Sequence, residues 1–178
     1  MKAEVIVVSK STILIVDDDA TILMLMSNVF MYDDNYILTA ENGEGGLAKL
    51  KNNKIDLVIS DQNMPGMSGL QFLKRVRSEY PDVVTIILTA SGEAETAVKA
   101  VNEVGVYQFI LKPFNVMDLR LTVKRALEYK QLLEERNLLL QAVTKLEPNI
   151  NGSARGKLRD LLQRFHPDIQ PPLLEAQN

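Results

Sequence analysis

An alternation of two patterns constrains this chain most. Short runs of Ile, Val and Leu take turns with segments whose apolar residues recur at helical spacing. The runs fall at residues 12–16, 37–40, 55–60, 83–88 and 107–111. Most are nearly continuous in β-branched residues and Leu, as strands read when helices cover both faces of a parallel sheet. Between them, Ile22, Leu23, Met26, Val29 and Phe30 share one helical face. So do Leu70, Leu73 and Val76, and then Ala97, Val98, Val101 and Val104. The intervening segment 46–50 is weaker. It opens on Gly45-Gly46, poor helix formers, so a short or frayed helix is expected there. Five such units predict an α/β fold, a doubly wound parallel sheet with right-handed crossovers.

The last helical pattern departs from the others. Asn115 is a fit N-cap after Lys112-Pro113-Phe114, and nothing breaks a helix before Pro148. Leu119, Val123 and Leu127 would cover the sheet. From about Tyr129 the helix is expected to overhang it. Leucines there recur every seven residues, as Leu132, Leu139 and Leu146 beside Leu133 and Leu140. Such a seam suits pairing with a second helix, and Lys130 and Asn137 share a heptad position in the Leu133/Leu140 register. A homodimer through this helix is expected, the alternative being that these leucines dock onto the chain's own tail, from Leu158 to Phe165. The chain thus divides into a domain at 1–128, a helical extension at 129–147 and a tail at 148–178 with a short helix at 157–165.

Composition narrows the chemistry. The chain has 178 residues, no Cys, one His and a formal charge of −3. That excludes disulfide scaffolds, Cys-ligated zinc, thiol nucleophiles and His-rich metal sites. It gives no overall basic signature for nucleic acid. No apolar run approaches the ~20 residues that span a bilayer. Residues 1–10 include Glu4 and lack a small-residue cleavage site. A soluble cytoplasmic protein without direct nucleic-acid or membrane contact is expected.

The strands end on polar residues: Asp17-Asp18-Asp19, Asp61, Thr89 and Lys112. Open α/β sheets bind ligands outside the carboxyl ends of their strands, at the switch point of the winding. With strand order 2-1-3-4-5, Asp17, Asp18 and Asp61 would converge there, flanked by Thr89 and Lys112. Three close carboxylates repel one another unless a cation joins them. Hard oxygen ligands suit Mg²⁺, which favours one or two carboxylates plus phosphate oxygens and waters. A Lys ammonium would bind a phosphoryl oxygen. A carboxylate facing that phosphorus is a competent nucleophile. The expected chemistry is Mg²⁺-dependent acceptance of a phosphoryl group.

Four motifs then occur in order: Ile13-Leu14-Ile15-Val16-Asp17-Asp18-Asp19, the stretch from Leu57 through Asp61, Asn63, Met64-Pro65-Gly66 and Gly69 to Leu70, Ile87-Leu88-Thr89-Ala90, and Phe109-Ile110-Leu111-Lys112-Pro113-Phe114. Over about residues 11–130 the chain resembles the receiver domains of two-component response regulators, the CheY-like family. The resemblance implies a flavodoxin-like sheet of order 2-1-3-4-5. It implies Asp61 as phosphoacceptor and Lys112 as phosphoryl contact. Mg²⁺ would be held by Asp18, by Asp17 largely through water, by Asp61 and by the backbone carbonyl of Asn63. Thr89 would be the switch hydroxyl, with Phe109 turning inward behind it. Ala90 leaves room for the donor, and Lys112-Pro113 matches a step that is commonly cis in the family. A sensor histidine kinase would be the partner. The output surface would be the fourth helical segment, the last strand and the last helix. The domain would be no enzyme beyond its own phosphorylation and dephosphorylation.

The rival readings are weaker. Gly43–Gly46 lacks the third glycine of a dinucleotide loop. His166-Pro167-Asp168 matches the J-domain signature, but that family needs a further helix. Aspartyl-phosphate phosphatases carry an Asp two residues past the nucleophile, where this chain has Asn63. The basic residues Arg155, Lys157, Arg159 and Arg164 read as a solvated helix face. Two alternatives stay open: a phosphate sink or relay without output of its own, and the N-terminal part of a longer regulator.

Overall fold

The computed structural model describes residues 10–33, 35–90, 98 and 100–146, without the side chains of 100, 101, 140 and 143–146. The expected tail and its helix at 157–165 lie outside these residues, as does Ala97. Five parallel strands form one sheet in the order β2-β1-β3-β4-β5. They are β1 (Thr12–Val16), β2 (Tyr36–Ala40), β3 (Leu57–Asp61), β4 (Val84–Ala90) and β5 (Gln108–Lys112). The helices are α1 (Ala20–Met31), α2 (Gly43–Asn52), α3 (Gly69–Glu79) and α4 (Val116–Leu146), with a π-helical segment at Ala100–Val104. The expected doubly wound fold and strand order are present.

Two cores lie on the two faces of the sheet. Leu14, Val16, Val58 and Ile87 pack with Phe72, Leu73 and Val76 of α3 and Leu50 of α2. Ile13, Ile15, Leu57, Ile59, Ile86 and Leu88 pack with Met26 and Phe30 of α1 and with Leu119, Val123 and Ala126 of α4. Neighbouring residues of each strand thus enter opposite layers, the two-residue period of the pleat. Truncating a fully buried Leu here to Ala costs about 2–5 kcal/mol.

The helix starts follow their caps. Asp19 accepts from the amide of Thr21 at 2.8 Å, and Asn42 from that of Gly45 at 2.8 Å. Ser68 and Gln71 form a reciprocal capping box. Asn115 caps α4, accepting from the amide of Met117 at 2.7 Å. The expected fraying of α2 is not found: the helix runs ten residues. Its glycines answer to space. A Cβ on Gly46 would meet the Phe72 ring at 2.8 Å, and one on Gly43 would meet the Met67 sulfur at 2.8 Å.

Val104 is buried whereas Val98 is 54% exposed. The two do not share one inward face: at 3.6 residues per turn, six positions already set them about 120° apart. The chain divides into a compact unit ending at Glu134 and another beginning at Glu135. Within the first, Leu133 still packs against the core, and Tyr107 and Tyr129 stack at 5.3 Å. Lys130, placed on a pairing seam by the heptad reading, is instead 6% exposed and pairs with Glu134 at 3.2 Å. Its long apolar stem favours burial against the domain once the charge has a partner. Leu132 and Leu139 remain exposed. Among the described residues no helix is long and apolar enough to cross a membrane.

Candidate functional site at the carboxyl edge of the sheet

The pleat decides which strand-end groups meet. Asp17 continues the parity of Ile13 and Ile15, Asp61 that of Leu57 and Ile59, and Lys112 that of Ile110, all on the α1/α4 side. Thr89 continues the parity of Ile87, which faces α2 and α3. β1 and β3 are direct neighbours, and β3 pairs with β4, Asp61 opposite Leu88. β4 then sets Ala90 opposite Lys112. Lys112 reaches back over this edge to both acids.

The lysine Nζ lies 2.6 Å from Asp61 Oδ1 and 2.9 Å from Asp17 Oδ2. Both carboxylates are almost fully buried, and the lysine side chain is 29% exposed. The second oxygen of each acid accepts a backbone N–H. Asn63 donates to Asp61 Oδ2 at 2.5 Å, and Asp19 donates to Asp17 Oδ1 at 2.9 Å. Burial pushes the Asp17 carboxyl above its usual range, against the Asp19 amide and Lys112, which pull it down. Burial alone would lower Lys112, but hydrogen bonds to Asp61 and Asp17 and their charges outweigh it, so its pKa is raised. The ammonium is therefore held charged.

The remaining expected residues are placed around this trio. Thr89 is buried, at 1% exposure. Phe109 is 37% exposed, not turned inward. Asp18 and Asn63 are exposed. The convergence of three carboxylates is not found: among the described residues no three acidic side chains stand together as a cation-holding group. Lys112 joins Asp17 to Asp61, while Asp18 stays in solvent. The donors are all oxygens, the hard set Mg²⁺ takes, and each carboxylate keeps lone pairs beyond its two hydrogen bonds. Two carboxylates plus water and phosphoryl oxygens are its ordinary complement, so the residues fit that ion. The Lys112–Pro113 peptide is cis. Gly66 has φ +79°, which a type II turn requires after Pro65.

Sequence reasoning passed over Gln62. Its side-chain oxygen accepts the amide of Leu70 at 3.0 Å, tying the residue after Asp61 to the start of α3. The signal was slight: a polar residue between Asp61 and the turn.

Fold and site together define a flavodoxin-like α/β domain with an acid pair and a lysine at its switch point, the class of phosphoryl-signal receivers. The sequence matches the family described as "Response regulator receiver domain" over residues 13–124. The chain belongs to this family, the receiver domains of two-component systems. It is similar to the hydrogenase transcriptional regulatory protein HoxA of Cupriavidus necator, 29% identical over 158 residues, covering 88% of this chain and 32% of that protein. It is also similar to the regulatory protein AtoC of Escherichia coli, 35% identical over 132 residues, covering 74% and 28%. The chain thus spans about a third or less of the length of these relatives. Among solved structures, a response regulator receiver domain protein from Clostridium thermocellum matches with TM-score 0.65 and 34% identity, over 69% of this chain and 98% of that one. NtrX from Brucella abortus matches with TM-score 0.69 and 28% identity, over 90% and 35%.

Proposed function

We propose that Asp61 accepts a phosphoryl group from a sensor histidine kinase, with Mg²⁺ at the cleft. The observation that carries this is the lysine bridge, 2.6 Å to Asp61 and 2.9 Å to Asp17. A carboxylate oxygen of Asp61 attacks phosphorus. The P–N bond to the kinase imidazole breaks, its electron pair returns to nitrogen, and an acyl phosphate remains on Asp61. Lys112 meets the charge on the transferring oxygens, and the Asn63 amide holds the acid in place. The bound ion would be held by Asp61, the Asn63 carbonyl and Asp18 turned in from solvent, with Asp17 acting largely through water, and would supply charge neutralisation. Thr89 moves toward the phosphoryl oxygens, and Phe109 packs inward behind it. The domain performs no chemistry beyond gaining and losing this group. Incubation with a labelled kinase, for wild type and Asp61→Asn, tests the reading. Label on wild type alone is expected; equal label on both refutes Asp61 as acceptor.

The lengths of the relatives favour a second element of the reading: these residues serve as the input of a longer transcriptional regulator. Its output passes along α4. The exposed Leu132 and Leu139 pair with a second copy of the chain, and phosphorylation changes that pairing. A sink or relay role would leave assembly unchanged when Asp61 carries beryllofluoride.

A further inference from the structure

The peptide of Asp61 is held by more than its strand. Its carbonyl oxygen accepts the Ser60 hydroxyl at 2.9 Å, and Ser60 is fully buried. The next residue, Gln62, donates its amide to the Leu88 carbonyl of β4 at 2.8 Å. Its own carbonyl accepts the Gly69 amide at 3.0 Å, and its side-chain oxygen accepts the Leu70 amide at 3.0 Å. Two consecutive amides at the start of α3, which α-helical bonding leaves without a partner, are thus both taken by the residue following Asp61.

Gly69 lets this approach happen. A Cβ there would lie 2.0 Å from the Asp61 carbonyl oxygen, 2.8 Å from the Asp61 carbonyl carbon and 2.9 Å from the Gln62 Cα. Its φ is not positive, so glycine is required for space and not for conformation. All three nearby atoms are backbone and cannot swing aside. The start of α3 is therefore pressed against the peptide whose side chain faces Lys112, 2.6 Å away.

We propose that Gln62, with Gly69 and Ser60, is a positioning device for Asp61: it clamps the 61–62 peptide between β4 and α3, and so sets the angle at which the Asp61 carboxylate meets an incoming phosphorus. This rests on the reading of Asp61 as phosphoacceptor. None of the three touches the reacting atoms; they act through the backbone that carries the carboxylate and through the Asn63 amide bound to it. Misplacing a reacting group by about 1 Å can cost on the order of 100-fold in rate. A clamp that loses one of its hydrogen bonds should cost less.

Gln62→Met keeps the length of the side chain and removes the acceptor. Acetyl phosphate is the donor, so that no kinase interface enters the readout. Acyl phosphate formation is followed in the full chain at saturating Mg²⁺, with wild type and Asp61→Asn alongside. Gln62→Met is expected to lower kcat about tenfold with KM for the donor unchanged, as misalignment does. Amide exchange at Leu70 should quicken while exchange in β1 stays at the wild-type rate. Ser60→Ala should act in the same direction, and Gly69→Ala more strongly if it folds. Wild-type kcat in Gln62→Met, or a slowing that appears in KM, overturns the clamp while labelled wild type leaves Asp61 standing. An unlabelled wild type overturns the acceptor reading, and the clamp with it. Loss of kcat that vanishes on cooling, in step with recovered global stability, assigns Gln62 a merely structural role and also overturns the proposal.

Discussion

Replacing Lys112 by Met would leave two buried carboxylates facing each other without their shared cation. Removing one partner of a buried ion pair typically costs about 3–5 kcal/mol. Lys112 is 29% exposed, so water replaces part of what it supplied, and about 2–3 kcal/mol is expected at pH 7. The loss should depend on pH in one direction. Asp17 already titrates above its usual value of 3.8 because it is buried, and Lys112 is among the groups restraining that rise. Without the lysine the folded-state pKa climbs further. The folded protein then binds a proton more tightly than the unfolded chain from about the unfolded pKa up to the raised one. Stability of the variant falls as pH rises through that window, and the deficit against wild type shrinks as pH is lowered. The lysine's own contribution holds below about 10.5 and fades only as pH rises through its raised folded value, so it does not vary in this range. Urea unfolding followed by circular dichroism at pH 7 and pH 5, with matched m-values, measures both. A deficit under about 0.5 kcal/mol at pH 7 contradicts the buried-pair cost. A deficit that grew as pH was lowered would refute the claim that stranded Asp17 is its source.

Other outcomes follow from the fold. Gly46→Ala gains about 1 kcal/mol of helix propensity but drives a methyl into the fully buried Phe72 ring, at about 1–3 kcal/mol, so thermal unfolding should show a net loss near 1 kcal/mol. Glu134→Gln removes the acid that takes Lys54 and Lys130 at 3.2 Å each. Burial would raise Glu134, but those lysines hold it below its usual 4.5, so its contribution is present above about that pH and is lost as pH falls through the lowered value. The half-exposed site limits the effect to about 0.5 kcal/mol, read best as faster amide exchange near the 130–134 turn. If the exposed leucines join two copies as proposed, Leu132→Lys with Leu139→Lys should leave labelling of Asp61 intact and lower the sedimentation mass of wild type to that of a monomer; equal mass for both proteins refutes the pairing.

The sheet was legible in the sequence because parallel strands covered on both faces must be apolar throughout, and their polar ends stand out by contrast. That contrast found Asp17, Asp61, Thr89 and Lys112. What escaped depends on distances that no composition encodes. Gly46 reads as a weak helix start, yet a Cβ there would crowd the Phe72 ring at 2.8 Å. Gln62 reads as a polar loop residue, yet it holds α3. Lys130 reads as part of a surface seam, since a heptad pattern does not tell which flank of a helix the domain already uses. The three acids were expected together because strand order alone brings them near, whereas the side-chain geometry sends Asp18 into water.

The pleat carries a further consequence. Asp17, Asp61 and Lys112 meet only because three strands of separate origin keep the same phase. One residue added within β1 would turn the side chain at its end toward the α2/α3 layer, while those of β3 and β5 stayed as they are. The site behaves in this respect like a three-tumbler lock, in which the count of residues in each strand matters as much as their chemistry. Insertions should be tolerated in the loops beyond the strand ends and rejected within the strands, even where every inserted residue is a good strand former.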